Sequence, residues 1–220
     1  MTGLNHVQPG GAPIVVRLSR TVTMTKISVG PMDNNAYLLQ TASGATVLID
    51  AANDGGRLLR LIGDEPVGTI VTTHRHGDHW QALAAVAEAT GARLVGGLPD
   101  VDAIAEGARV SGLVGVWDGD QVELGEESLA VIGLVGHTPG SITLAYPGGG
   151  PVHLFTGDSL FPGGPGRTRN RREFTSLMDD LEAKIFDRFD DEAVVHPGHG
   201  DDTTLGAERP HLAEWRARGW

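Results

Sequence analysis

The run Thr73-His74-Arg75-His76-Gly77-Asp78-His79 places four metal-ligating side chains within six residues. It follows a short apolar run and precedes an alanine-rich stretch, so a strand ends and a helix begins around it. A His-x-His pair at a strand end can aim two rings at one point if the chain bends there. Asp78 and His79, at the helix start, face the same loop. Imidazole and carboxylate suit divalent zinc, iron and manganese. Solvated loop histidines beside an Asp N-cap are the alternative, and so dense a spacing beside a glycine argues against it. Three further segments carry the same chemistry more thinly: Gly136-His137-Thr138-Pro139-Gly140-Ser141, Thr156-Gly157-Asp158-Ser159 and His196-Pro197-Gly198-His199-Gly200. Taken singly, each reads as well as a turn. All four follow a predicted strand, and ligands of open α/β sheets collect at the C-terminal edge of the strands.

Composition narrows the chemistry. The 220 residues include no cysteine, which removes disulfides, thiolate nucleophiles, Cys-bound zinc and iron–sulfur clusters. Any transition metal must be held by His and carboxylate. Lys and Arg number 17 against 28 Asp and Glu, a formal charge of −11 that repels nucleic acid unless a local basic patch offsets it. No window approaches about 18 uninterrupted apolar residues, so no membrane span is expected. The polar, Gly/Pro-containing start has no signal-peptide core, which makes a cytoplasmic location the default. No Gly-x-Ser-x-Gly elbow surrounds Ser141, and no phosphate-binding Gly-rich loop with its lysine is present. The one dense basic run, Arg167, Arg169, Arg171 and Arg172, directly follows the Asp158 loop. Arg167 is its best candidate for binding a substrate carboxylate; a solvated face paired with nearby acids is the plainer reading. His6, His153 and His211 are expected to be surface or core residues. Trp80 fits a pocket wall or a packed helix equally well.

The elements that must position these groups follow from periodicity. Residues 1–13 read as a flexible tail and 14–220 as a single domain. Val15–Val29 is extended, and Ala36–Gln40 with Thr46–Ala51 forms a hairpin. Helices are expected over Gly55–Ile62, Trp80–Thr90, Val101–Glu106 and Phe174–Phe189. A last helix over Leu205–Arg218 is kinked or delayed by Pro210. Strands are expected over Thr69–Thr72, Arg93–Val95, Val114–Trp117, Gln121–Leu124, Leu129–Leu134, Ile142–Tyr146, Val152–Phe155 and Ala193–His196. Phe161–Arg172 reads as an irregular loop. This order means sheet layers covered by helices. By itself it fits a doubly wound sheet or a two-sheet sandwich.

The order His74-x-His76-x-Asp78-His79, Gly136-His137-Thr138, Gly157-Asp158, His199 resembles the metallo-β-lactamase superfamily over roughly residues 20–205. The resemblance implies an α/β fold, a four-layer αβ-βα sandwich of two mixed sheets with helices on the outer faces. It implies two divalent metal ions, zinc first, with iron or manganese as alternatives. His74, His76 and His137 would hold one and Asp78, His79 and His199 the other, with Asp158 bridging and Asp78 and Asp158 as the catalytic carboxylates. Asp50 would orient a ligand histidine. Within the superfamily the likeness is greatest to glyoxalase II (hydroxyacylglutathione hydrolase), carried by Gly136–Gly140, Thr156–Phe161, Gly164-Pro165-Gly166-Arg167 and Pro197-Gly198-His199. Pro165 stands where that family usually has Cys, and the chain resembles the short bacterial form that lacks a C-terminal helical domain. The implied activity is hydrolysis of a small-molecule substrate, an anionic S-acyl thiol, by a metal-bridging hydroxide. A mononuclear iron persulfide dioxygenase and a lactonase are the alternatives.

Overall fold

The computed structural model describes residues 4–64 and 66–219. Among them, β1 (Ile14–Arg17), β2 (Val22–Val29), β3 (Asn34–Thr41), β4 (Thr46–Ile49), β5 (Thr69–Thr72), β6 (Arg93–Gly97) and β7 (Val114–Val116) form one sheet in that spatial order. Its first four strands are antiparallel neighbours, and β4 to β7 run parallel. The second sheet contains β8 (Gln121–Leu124), β9 (Glu127–Gly133), β10 (Ile142–Tyr146), β11 (His153–Gly157), β14 (Val194–Pro197) and β15 (Thr203–Thr204). Its order is β15-β14-β11-β10-β9-β8, with β11 and β14 parallel. Both sheets are mixed, as the four-layer sandwich requires.

Alternation along the strands explains the layers, because successive side chains point to opposite faces. Leu39, Val47, Ile49, Val71 and Val95 point inward and meet Val131, Leu144 and Phe155 of the other sheet. Their neighbours Leu38, Leu48, Ile70 and Leu94 point outward, against Leu58, Ile62, Leu83, Val86 and Ile104 of the helices α1 (Gly55–Ile62), α2 (Leu83–Thr90) and α3 (Val101–Ala108). On the far side Ile132, Leu154 and Val195 pack against α4 (Arg171–Asp180), α5 (Leu205–Glu208) and α6 (Leu212–Arg218) through Phe174, Leu177, Leu205 and Trp215. Both faces of the central strands are therefore dry, which is why they read as short unbroken apolar runs.

Three expectations need correction. The helix expected from Trp80 begins at Leu83. The N–H groups of Gln81 and Ala82 donate instead to the carbonyls of Ala52 and Ala51, which ties this segment to the end of β4. The Phe161–Arg172 loop contains a small hairpin, β12 (Leu160–Phe161) with β13 (Gly164–Pro165). Its last residues already belong to α4, because Asn170 caps that helix by accepting from the Glu173 N–H. The segment read as a flexible tail is anchored where it is described. Leu4 bridges to Asp202, Asn5 donates to the Asp202 carboxylate, and Val7 is buried. The last helix is broken as expected, with a tight turn over Arg209–His211 between α5 and α6. No helix among the described residues is long and apolar enough to cross a membrane.

Candidate metal centre

The strand ends deliver their side chains to one place between the two sheets. His74, His76, Asp78 and His79 follow β5, and Asp50 follows β4 in the same sheet. His137 lies in the β9–β10 connection, Asp158 follows β11 and His199 follows β14, all in the other sheet. Their ligating atoms fall into three groups, each within 4.8 Å: His74/His76/His137, His74/His79/Asp158 and Asp78/His79/His199. In the first, His76 Nδ1 is 3.1 Å from His74 Nε2 and 2.9 Å from His137 Nε2. In the last, Asp78 Oδ2 lies 3.2 Å from His199 Nε2 and 3.6 Å from His79 Nε2. Asp158 stands between them, with Oδ2 at 3.6 Å from His137 Nε2 and 3.5 Å from His199 Nε2, and Oδ1 at 3.3 Å from His79 Nε2.

The rings are held from behind. His79 Nδ1 donates to Asp50 Oδ2 (2.8 Å), His137 Nδ1 to the Arg167 carbonyl (2.7 Å) and His199 Nδ1 to the Met32 carbonyl (2.8 Å). Each of these bonds fixes the tautomer and leaves Nε2 facing the centre. Asp50 also accepts from the N–H and hydroxyl of Thr73, both at 2.8 Å, so it anchors the start of the histidine loop as well. Its backbone is left-handed (φ 58°), a conformation Asp tolerates better than most residues. Asn34 holds Asp78 by donating to Oδ2 at 3.0 Å. The close fit leaves no room at Gly198, where a Cβ would lie 2.3 Å from Asp158 Oδ1 and 2.5 Å from His79 Cε1.

Electrostatically the two halves differ. Burial pushes the His74, His76 and His137 imidazoles down, with neighbouring histidines adding to the shift. Burial would do the same to His79 and His199, but carboxylates outweigh it: Asp50 and Asp158 raise His79 to about 10, and Asp158 and Asp78 raise His199 to about 10. Asp78 is drawn down to about 2 by the hydrogen bond from His199 against its own partial burial. Burial would raise Asp158, yet the His199 and His79 imidazoles beside it hold it well below the ordinary carboxylate range.

Two buried atoms at this point, His79 Nε2 and Asp158 Oδ1, have no hydrogen-bond partner. Buried polar groups are seldom left so. A cation among neutral imidazoles and carboxylates satisfies both, and the donor set is one that divalent zinc, iron or manganese accepts. The residues therefore fit such an ion.

Beside the first group lies a cavity of about 460 Å³ lined by Arg75, His76, His137, Arg167, Thr168 and Arg169. Arg169 is engaged with Glu173, whereas the exposed Arg167 guanidinium has no acidic partner among the described residues. Other candidates fall elsewhere. His196 turns away from the centre, toward Asp202 (2.8 Å) and the buried His153 (3.0 Å). His6 pairs with Asp201 and His211 with Glu214, away from the centre. Trp80 donates to the Arg75 carbonyl and packs against Gly107 of α3, so it is a packed residue. From the sequence, the Asp33-Asn34-Asn35 run reads either as turn chemistry or as a border of the site, and Asp100, Lys26 and Asp202 are overlooked. Only the asparagine carried a usable signal, the Asp33-Asn34-Asn35 run at the start of β3.

Comparison with known proteins agrees with this architecture. The family profile of the metallo-beta-lactamase superfamily matches residues 29–199. A hydroxyacylglutathione hydrolase of Fuscovulum blasticum is 41% identical over 138 residues, covering 61% of this chain and 51% of its own length. The chain thus spans about half the length of that relative. An uncharacterized protein of Mycobacterium leprae is 31% identical over 211 residues, covering 84% of this chain and 95% of its own. Among solved structures, TTHA1623 in a di-iron-bound form superposes with a TM-score of 0.66 at 30% identity, covering 84% of this chain and 96% of that one. From the matched profile and the fold together, the chain belongs to the metallo-beta-lactamase superfamily.

Proposed function

We propose that this chain is a cytoplasmic thioester hydrolase of glyoxalase II type with a paired metal centre. His74, His76 and His137 hold one divalent ion, Asp78, His79 and His199 the other, and Asp158 is shared. Zinc is the expected metal, with iron or manganese as alternatives. The observation that carries the reading is the convergence of two complete ligand groups on one carboxylate, beside a cavity walled by arginines. The similarity to TTHA1623 in its di-iron-bound form and to the hydroxyacylglutathione hydrolase of Fuscovulum blasticum supports it.

Bound there, a pair of divalent ions would supply a water acidic enough to ionise near neutral pH and a Lewis-acidic contact for a carbonyl oxygen. The chain's own groups do the rest. Asp50, Arg167 and Met32 hold His79, His137 and His199 in the tautomer that leaves Nε2 free. Asn34 keeps Asp78 Oδ2 turned to the centre. Asp78 and Asp158 remain ionised and accept hydrogen bonds rather than donate them. A thiolate leaves with little proton assistance, so a site of this kind suits a thioester better than an amide. The exposed Arg167 guanidinium lines the cavity beside His76 and His137 and would bind the carboxylate of an anionic thiol carrier.

Two outcomes are expected. Arg167→Ala raises KM for an anionic thioester about 10- to 100-fold, the loss of one charge-assisted hydrogen bond, and leaves kcat and metal content unchanged; an unaltered KM would leave this arginine a solvated surface group. Metal uptake releases protons, because His79 and His199 are protonated below about 10 in the metal-free protein and must be neutral to ligate. Affinity therefore rises with pH from 6 to 8, measurable by chelator competition; a flat profile contradicts the assignment of these two histidines. Turnover of a panel of S-acyl thiols, a persulfide and a lactone tests the activity itself. Thioester hydrolysis is expected, and oxygen consumption with the persulfide in its place would overturn the reading.

A further inference from the structure

One fully buried carboxylate ties together the two loops that supply the first ligand group, and it is none of the ligands. Asp100 is 0% exposed and lies just after β6, at the start of α3. Its Oδ2 accepts from the Arg75 N–H at 3.1 Å and from the Thr138 hydroxyl, while its Oδ1 accepts from the Gly140 N–H at 3.1 Å. The Arg75 guanidinium approaches the same carboxylate at 3.8 Å. Arg75 lies between His74 and His76, and Thr138 follows His137. The groups held by this one carboxylate therefore adjoin all three histidines of the first group, which come from opposite sheets.

The backbones meet here without side chains between them. A Cβ at Gly97 would lie 1.9 Å from the Gly140 carbonyl oxygen, and one at Gly140 would lie 2.5 Å from the Asp100 nitrogen. Thr138 is further fixed by the Ser141 hydroxyl at 2.7 Å. Among the described residues, no hydrogen bond of Asp100 reaches His199, Asp78 or His79. Asp50 supports His79 of that second group through a separate bond, and through Thr73 it reaches His74 as well.

We propose that Asp100 is a positioning residue specific to the His74/His76/His137 ion, setting the separation of His76 and His137 by clamping Arg75 and Thr138–Gly140 to one carboxylate. This rests on the paired-centre reading. The carboxylate accepts from two backbone N–H groups and a hydroxyl at once. An asparagine must turn its amide donor toward at least one of them, with almost no change in volume.

Metal titration against a chromophoric chelator, with zinc as the probe, tests this on wild type, Asp100→Asn and Thr138→Val. Wild type binds two ions per chain; failure there sinks the paired-centre reading rather than the role of Asp100. Asp100→Asn is expected to hold one ion at wild-type affinity and the other 10- to 100-fold more weakly, the usual effect of removing a group that supports a ligand. Adding Asp100→Asn to His76→Ala should weaken the remaining ion no further. Should Asp100→Asn fail to fold, Thr138→Val removes one donor and keeps the carboxylate, and must weaken the same single ion. Equal weakening of both ions, or of neither, would overturn the proposal.

Discussion

Replacing Asp158 by alanine is expected to cost the protein both ions and its turnover together. Asp158 reaches both ligand groups, since its carboxylate lies within 3.3–3.6 Å of His79, His137 and His199. Removing it leaves each group one oxygen short. It also removes one of the acids that raise His79 and His199 in the metal-free protein, beside Asp50 for the first and Asp78 for the second. The fall in activity should exceed the roughly 100-fold typical of losing a supporting residue. The fold should persist, because Asp158 is held by the centre rather than by the hydrophobic layers. Elemental analysis with circular dichroism checks both parts. A folded, fully metallated and active variant contradicts the shared role.

The second large effect concerns stability. Lys26, 0% exposed on β2, donates to Asp202 Oδ1 and to the Gly200 carbonyl, both at 2.7 Å. Asp202 in turn accepts from His196 and Asn5. Burial would raise the Asp202 carboxyl, but His196 and Lys26 hold it below its ordinary value. Asp202→Ala strands a buried ammonium, which costs about 3–5 kcal/mol. Urea unfolding of the metal-free protein should show that loss, and the double change Lys26→Met, Asp202→Leu should recover much of it. A loss below about 1 kcal/mol would mean the pair is not the dry one the structure shows. Because Asp202 is held low, its contribution is complete above about pH 4 and is lost as the pH falls through the lowered value. The same pair holds the loop that carries His199, so a weakened loop should also lower affinity for the second ion.

Elements with dense local signals were legible in the sequence. Gly55–Ile62, Thr69–Thr72, Gln121–Leu124 and Ile142–Tyr146 form over the residues expected, because each is a short periodic run between glycine, proline or turn residues. The α2 start was not, since the Gln81 and Ala82 N–H groups are taken by the β4 end rather than by a helix. Nor was the anchored N-terminal segment, whose partner Asp202 lies 197 positions from Asn5. The same contrast runs through the site. The seven candidate ligands stood out because one densely spaced segment carries four of them and three further segments follow it in order, each after a strand. Their supports did not, because Asp100 takes its meaning from Arg75, Thr138 and Gly140, 25, 38 and 40 positions away. Lys26 takes its meaning from Asp202, 176 positions away. A single acid or lysine in a sequence carries no mark of such a partner.

The most direct measurement is metal content per chain of the purified, reconstituted protein beside His76→Ala and His199→Ala. The paired centre predicts two divalent ions in wild type and a single, different one retained in each variant. One ion or none in wild type, or two in both variants, would contradict it.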